Sequence, residues 1–339
     1  MSRHHSPQNN ATGEQAVLSF NDLLAAFEAQ FNDRLFPKNP ATLYEAVEYS
    51  LSNSGKRIRP ILCLMANNLM GPVHLDAFLA ANAVELYHNF TLVHDDIMDH
   101  APLRRGQPTI YKKFNTNTAI LTGDTLLLYV FEYLNCIQGD YKQAVTATFL
   151  EAALAVGEGQ QTDLDMEAMP LSAISYTDYL DMITMKTAVL LAASLQIGGM
   201  IGGAGEEDQE HLYAFGKNIG TAFQIQDDYL DCFGDQVKFG KQICGDILLN
   251  KKTFLLLKTF ESATPAQRSH LEELMADNTI YKIAPMVQLY KDCKADQWAI
   301  HECQRYQDIA LRHLKSISVP EAHKQALLSL TDMLLNRAH

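Results

Sequence analysis

Positive charge is scarce in this chain: 27 Lys and Arg face 40 Asp and Glu across 339 residues, a formal net charge of −13. Nucleic acids and anionic membranes are gripped through surplus Lys and Arg, so neither is expected as the main partner. An anionic ligand must instead meet a local basic cluster or a metal. Paired cysteines are missing too. The six (Cys63, Cys136, Cys232, Cys244, Cys293 and Cys303) form no CxxC, and no secretory apolar stretch opens the sequence, which fits reduced thiols in a cytoplasmic protein. Long apolar runs are also wanting. Residues 188–205 come nearest to a membrane span, yet they include Ser194, Gln196 and five glycines and run straight into Glu206, Glu207 and Asp208. They read as a core helix ending in a glycine turn, and no integral membrane segment is expected.

No stretch alternates long enough to demand a sheet. Apolar residues recur instead at three- and four-residue spacing, between clusters such as NPAT, MGPV, QGDY and AMPLS. Helices are predicted over about 17–34, 41–53, 58–70, 75–100, 116–137, 141–166, 174–199, 207–233, 250–262, 265–277, 281–315 and 319–337, the last opened by Pro320 and Glu321. Residues 1–16 are polar and predicted to be disordered. With 47% hydrophobic residues and no linker, residues 17–339 are predicted to form one all-α domain.

Two acidic clusters stand out. LVHDDIMD (92–99) sets Asp95, Asp96 and Asp99 among apolar neighbours, and QIQDDYLD (224–231) repeats the spacing with Asp227, Asp228 and Asp231. Positions i and i+4 differ by about 40° around a helix, so Asp95 and Asp99 share a face, as do Asp227 and Asp231. One DDxxD run is ordinarily a solvated helix face. Two of them in apolar helices, facing each other, make an oxygen-rich site for a hard cation such as Mg²⁺. Basic residues lie near both: Lys56, Arg57 and Arg59 in SGKRIRP, Arg104 and Arg105 in PLRRGQPT, Lys186 in MKTA, and Lys241, Lys251 and Lys252 in FGKQICGDILLNKKT. Such groups suit phosphate oxygens.

The ordered motifs GKRIRP, ELYHNFTLVHDDIMD, LRRGQPT, GQQTDL, MKT, FQIQDDYLD and GKQICGDILLNKKT, spread from about residue 41 to the C-terminal end, resemble those of the trans-isoprenyl diphosphate synthases. This is the polyprenyl synthetase family, which includes farnesyl and geranylgeranyl diphosphate synthases. The resemblance implies a helical bundle around a central cavity, usually a homodimer, that condenses isopentenyl diphosphate with an allylic diphosphate. It implies three Mg²⁺ ions, with Asp95, Asp99 and Asp227 as principal ligands and Asp96, Asp228 and Asp231 in support. Arg104, Lys186, Gln224 and Lys241 would hold the allylic diphosphate, with Lys251 close by. Lys56, Arg59, His88 and Arg105 would hold isopentenyl diphosphate, and Thr187 and Gln224 would offer dipoles to an allylic cation. His94 reads as structural, and Gln160 and Asp163 as candidates for the cavity wall. The chain departs from the family pattern at Ser54 and Cys244, where glycine is common, and in a less basic tail with only Arg337.

Family members end their product against residues just before the first aspartate motif. Here these are Tyr87, Phe90 and Thr91. One aromatic beside Thr91 suggests a geranylgeranyl (C20) product, with farnesyl (C15) next and a longer polyprenyl chain as the alternative. On a helical wheel, though, that stripe is not the carboxylate stripe, and an aromatic stripe is ordinarily core. A terpene cyclase shares the first motif but would leave Lys56, Arg59 and Arg105 without a task. A di-iron bundle would need a second E-x-x-H beside Glu85 and His88, which is absent. A non-catalytic partner subunit would not require both acid clusters.

Overall fold

The computed structural model describes residues 17–52, 55–234 and 244–335. The segment predicted to be disordered, together with Ser54, Lys241 and Arg337, lies outside them. Helices form where the apolar spacing predicts them, apart from the unpredicted single turn α5: α1 Phe20–Asn32, α2 Ala41–Ser52, α3 Ile58–Met70, α4 Leu75–Met98, α5 Ile110–Lys113, α6 Thr116–Cys136, α7 Lys142–Ala168, α8 Tyr176–Ile183, α9 Val189–Ile201 and α10 Glu206–Phe233. Beyond these come α11 Gly245–Leu248, α12 Phe254–Ser262, α13 Pro265–Ala276, α14 Ile283–Asp292, α15 Ala295–Ser316 and α16 Glu321–Leu335. Reciprocal capping boxes start three of them, from Ser19 with Asp22, Ser175 with Asp178, and Thr264 with Gln267.

The structure breaks the predicted pattern at four further places. The helix predicted over 281–315 is two, because Lys294 turns to φ 60 between α14 and α15. The one predicted from 250 starts at Phe254, after a turn in which Asn250 has φ 53 and after the short α11. Leu103–Arg104 (β1) pairs antiparallel with Gln107–Pro108 (β2), and both turn residues, Arg105 and Gly106, have positive φ (52 and 76), as a two-residue hairpin loop of the primed type demands. Finally, Thr184–Ala188 between α8 and α9 is a π-helical turn. Such bulges reset the side-chain register and gather at functional sites.

Buried side chains form two apolar clusters. The larger joins α1 to α7, α9, much of α10 and the end of α16; the smaller joins α8 and α11 to α14 with the end of α7 and the start of α15. Helix α10 runs through both, from Leu212 and Phe215 in the first to Ile225 in the second. Continuous helix from Tyr176 to Ile201 is long and apolar enough to cross a membrane, but most of it is buried, and α9 packs against α3, α4, α7 and α10. The approach to α3 is so close that a side chain at Gly198 would collide with the Cys63 carbonyl. This is a core helix, as its glycines and polar residues predict.

Candidate active site

Helices α4 and α10 present their aspartates at their C-terminal ends, where the macrodipole already disfavours negative charge, and neither has a basic residue in its last turn. The two motifs are supported differently. Asp96, buried, accepts from Arg104 Nε at 2.7 Å and Nη2 at 2.6 Å. Asp228, also buried, accepts from the Tyr179 hydroxyl at 2.6 Å, the Phe254 N–H at 3.1 Å and Gln224 Nε2 at 3.2 Å. Burial still pushes the Asp228 carboxyl up to about 6, and burial likewise pushes half-buried Asp95 up to about 6, with Asp99 and Asp96 adding to it against Lys186 and Arg104. Asp231 Oδ2 accepts from the Asp246 N–H at 3.2 Å.

Three compartments adjoin. An acidic pocket of about 150 Å³ holds Asp227, Asp228, Asp246, Lys186, Gln224 and Lys251. Lys186 reaches Asp163 at 2.6 Å, and Thr187 Oγ1 donates to Gln224 Oε1 at 3.3 Å. A basic cavity of about 540 Å³ is lined by Lys56, Arg57, Arg59, His88 and Arg105. Between them lies a chamber of about 320 Å³ whose wall includes Tyr87, Phe90, Thr91, Met98 and Asp95. Lys186 and Thr187 belong to the acidic pocket and the chamber alike, Arg59 and His88 to the basic cavity and the chamber. The π turn puts Lys186 and Thr187 at that boundary, and α7 approaches it so closely that a side chain at Gly159 would meet the Lys186 backbone.

The basic cavity is built to receive an anion. Arg57, buried, is neutralised by Glu85 and donates to the Leu51 carbonyl at 3.1 Å, and Glu85 also accepts from Asn89 Nδ2 at 2.9 Å. Arg59 makes no ion pair among the described residues: its Nε is buried without a hydrogen bond, and desolvation lowers it to about 10. A buried, unsatisfied guanidinium N–H is costly unless a ligand oxygen completes it. His88 Nε2 lies 3.4 Å from Arg59 Nη1, which can only donate, so this nitrogen is the acceptor. Desolvation and the guanidinium groups of Arg59, Arg105, Arg104 and Arg57 hold the imidazole well below its ordinary value and therefore neutral.

Most of the predicted residues are thus brought together: Lys56, Arg59, His88 and Arg105 in one cavity, Lys186, Gln224, Lys251, Asp227 and Asp228 in another, and the aromatic stripe with Asp95 in the chamber. The wheel had set that stripe apart from the carboxylates, but the chamber is wide enough to touch both. Arg104 is not turned into the acidic pocket; it lies on Asp96. Asp99 caps α4 in an exposed position. Asp246 escaped the sequence reading, although it follows Gly245 in a motif singled out for its lysines. Burial and the neighbouring Asp231 and Asp228 push its carboxyl up to about 7, with Lys251 3.9 Å away.

The donors fit Mg²⁺. They are carboxylate oxygens at helix ends that oppose negative charge, too little compensated by cations to ionise at their ordinary values. Among the described residues no three acidic, His or Cys side chains converge on a preformed ion site. That suits an ion that takes one or two carboxylates and completes its octahedron with water and substrate phosphate.

A helical bundle in which an acidic and a basic pocket open on one apolar chamber defines a synthase for substrates with anionic heads and hydrocarbon tails, the isoprenoid synthase fold. The family model described as polyprenyl synthetase matches residues 40–292, and the chain belongs to that family of trans-prenyltransferases. It is 34% identical to a geranylgeranyl diphosphate synthase of Saccharolobus solfataricus, over 96% of this chain and 99% of that one. Among solved structures it superposes on a geranylgeranyl pyrophosphate synthase with TM-score 0.89 at 38% identity, covering 95% of this chain and 100% of the other. A decaprenyl diphosphate synthase from Rhodobacter capsulatus superposes with TM-score 0.85 at 28% identity, covering 94% and 97%. Fold alone therefore does not set product length.

Proposed function

We propose that this trans-prenyltransferase joins isopentenyl diphosphate to an allylic diphosphate, head to tail, and releases geranylgeranyl diphosphate, with residues 17–339 acting as one domain. The observation that carries the reading is the chamber that shares Lys186 and Thr187 with the acidic pocket and Arg59 and His88 with the basic cavity. Isopentenyl diphosphate belongs in the basic cavity, its diphosphate on Lys56, Arg59 and Arg105, with neutral His88 able to donate through its other ring nitrogen. The allylic diphosphate belongs in the acidic pocket, with Lys186 and Lys251 on its oxygens and its tail in the chamber. Lys186 must exchange Asp163 for the substrate.

Asp95, Asp99 and Asp227 would hold Mg²⁺, three ions in the full complex, with Asp96, Asp228 and Asp231 behind them. Bound there, the metal would neutralise the charge that develops on the departing diphosphate. The protein's own groups do the rest. Lys186 and Lys251 stabilise the leaving oxygens, and the chamber excludes water from the allylic cation. Thr187, oriented by its bond to Gln224, turns a hydroxyl dipole to that cation. The double bond of isopentenyl diphosphate attacks, a proton leaves to the departed diphosphate, and no side-chain base is needed.

Product length is read from Phe90, whose ring packs 5.4 Å from Tyr87 and 4.8 Å from His94, while the Tyr87 hydroxyl donates to the Ala153 carbonyl at 2.8 Å. That braced pair is the floor, and the 34% identical geranylgeranyl diphosphate synthase supports a C20 product. Exposed Ile120, Leu121, Leu128 and Phe131 of α6, with Leu150 and Leu154 of α7, support a homodimer. The free cysteines support a reducing cytoplasm as its place of work. Incubation with Mg²⁺, isopentenyl diphosphate and each allylic starter from C5 to C15 tests the reading. Chromatography should show elongation to C20, and no elongation from any starter would overturn it.

A further inference from the structure

Helix α10 ends on Asp231, Cys232 and Phe233, and the chain returns to it at Cys244, whose backbone N–H donates to the Asp231 carbonyl at 2.9 Å. This bond brings two thiols together. Cys232 and Cys244 flank this backbone bond and their side chains interact, neither is in a disulfide, and both sit in the smaller apolar cluster. Cys244 is buried and Cys232 half-buried. Cys244 also has φ 56, a conformation that glycine adopts without strain and a side chain resists. A thiol is kept at a glycine's position, against another thiol.

We propose that Cys232 and Cys244 are a reversible disulfide site, closed by a peroxide and reopened by a dithiol, and that closing it lowers turnover by fixing α11 against α10. One of the two sulfurs attacks a peroxide oxygen: an S–O bond forms, the O–O bond breaks, and water leaves behind a sulfenic acid. The second sulfur then attacks the first, so that S–S forms, S–O breaks and a second water departs. Two thiols are oxidised and hydrogen peroxide is reduced to two waters.

The functional consequence follows from what lies on either side. Cys232 adjoins Asp231, and Cys244 adjoins the turn that carries Asp246 into the acidic pocket, with Lys251 and Lys252 a few residues on. A disulfide requires its sulfurs about 2.05 Å apart, well inside hydrogen-bond contact, so closure pulls Asp246 toward α10. The pairing of the thiols rests on the backbone bond and the contact between the two side chains; the effect on turnover rests on the reading of the site given above.

The test treats the full-length protein with hydrogen peroxide, alkylates remaining thiols and maps peptides without reduction. A peptide linking Cys232 to Cys244 is expected, together with loss of most prenyl-transfer activity that dithiothreitol restores. Cys232→Ser and Cys244→Ser should keep their activity under the same treatment. If both thiols are recovered alkylated while exposed Cys136 is oxidised, the site is overturned, whatever the variants do. A linked peptide with undiminished turnover, or equal inactivation of both variants, overturns the switch. A reduced wild-type protein that elongates no substrate would sink the site reading, and peptide mapping would still decide the disulfide.

Discussion

The two aspartate motifs share a spacing and a position at the end of a helix, but not a means of support. In each, the middle aspartate is turned into the protein: Asp96 is 4% exposed and Asp228 6%. Asp96 rests on a cation, Arg104, whose side chain is one-third exposed and can move. Asp228 rests on a tyrosine hydroxyl, a backbone N–H and an amide, all fixed by packing. A repeated sequence pattern therefore encodes one adjustable wall and one rigid wall. In both, the flanking acids are less buried.

The largest effect should separate the flanking acids from the middle ones. Asp95→Ala and Asp227→Ala should each lower kcat by ~10²–10³ or more, the scale of a lost electrostatic stabiliser, with little change in melting temperature. Equal losses of stability in these variants would erase the distinction. Asp228→Ala should instead cost about 1–3 kcal/mol in denaturant unfolding, because the fully buried Tyr179 hydroxyl and the Phe254 N–H lose their acceptor. Asp96→Ala, which releases an arginine that is one-third exposed, should cost under about 1 kcal/mol. If Asp96→Ala proves the more damaging, the rigid and adjustable walls have been assigned the wrong way round.

Product length tests the chamber rather than the motifs. Phe90→Ala removes the ring braced by Tyr87 and His94 and should shift the main product upward by at least one isoprene unit on a chromatogram; unchanged products would place the floor elsewhere.

The smallest effect is in pH. In metal-free protein the Asp95 carboxyl lies at about 6, above its ordinary value of 3.8. The folded state binds that proton more tightly than the unfolded chain, so the stability it contributes is complete below about 3.8 and is lost as pH rises through about 6. His88, held low, acts in the opposite sense: its contribution is present above about 6.5 and lost on acidification. Comparing wild type with Asp95→Asn cancels the histidine. The wild-type melting temperature should fall relative to the variant between about pH 4 and 7, and a flat difference would remove Asp95 from the assignment.

The helices and the residues that gather in each pocket were legible because apolar spacing and charge type are local properties. Less legible was anything set by a single backbone torsion. Lys294 and Asn250 end helical runs through a left-handed residue that is neither glycine nor proline, and nothing in composition marks them. The π turn at Thr184–Ala188 is hidden in an unbroken apolar helix, yet it aims Lys186 and Thr187. Nor could spacing tell which of two adjacent aspartates would face inward, since that depends on Arg104 and Tyr179 arriving from elsewhere in the chain. Asp246 was invisible for the same reason: only the fold brings it beside Asp231.

The hairpin at Leu103–Pro108 has one more consequence. Arg104 stands in its strand and reaches Asp96, while Arg105 occupies the turn and opens into the basic cavity, so one codon braces an aspartate motif and the next lines the anion cavity. Most surface loops drift in length over evolutionary time at little cost. This one is a partition with a fixture on each side. Inserting or deleting a residue within it would take Arg104 off Asp96 or Arg105 out of the basic cavity, so its length is under tighter constraint than its exposure suggests.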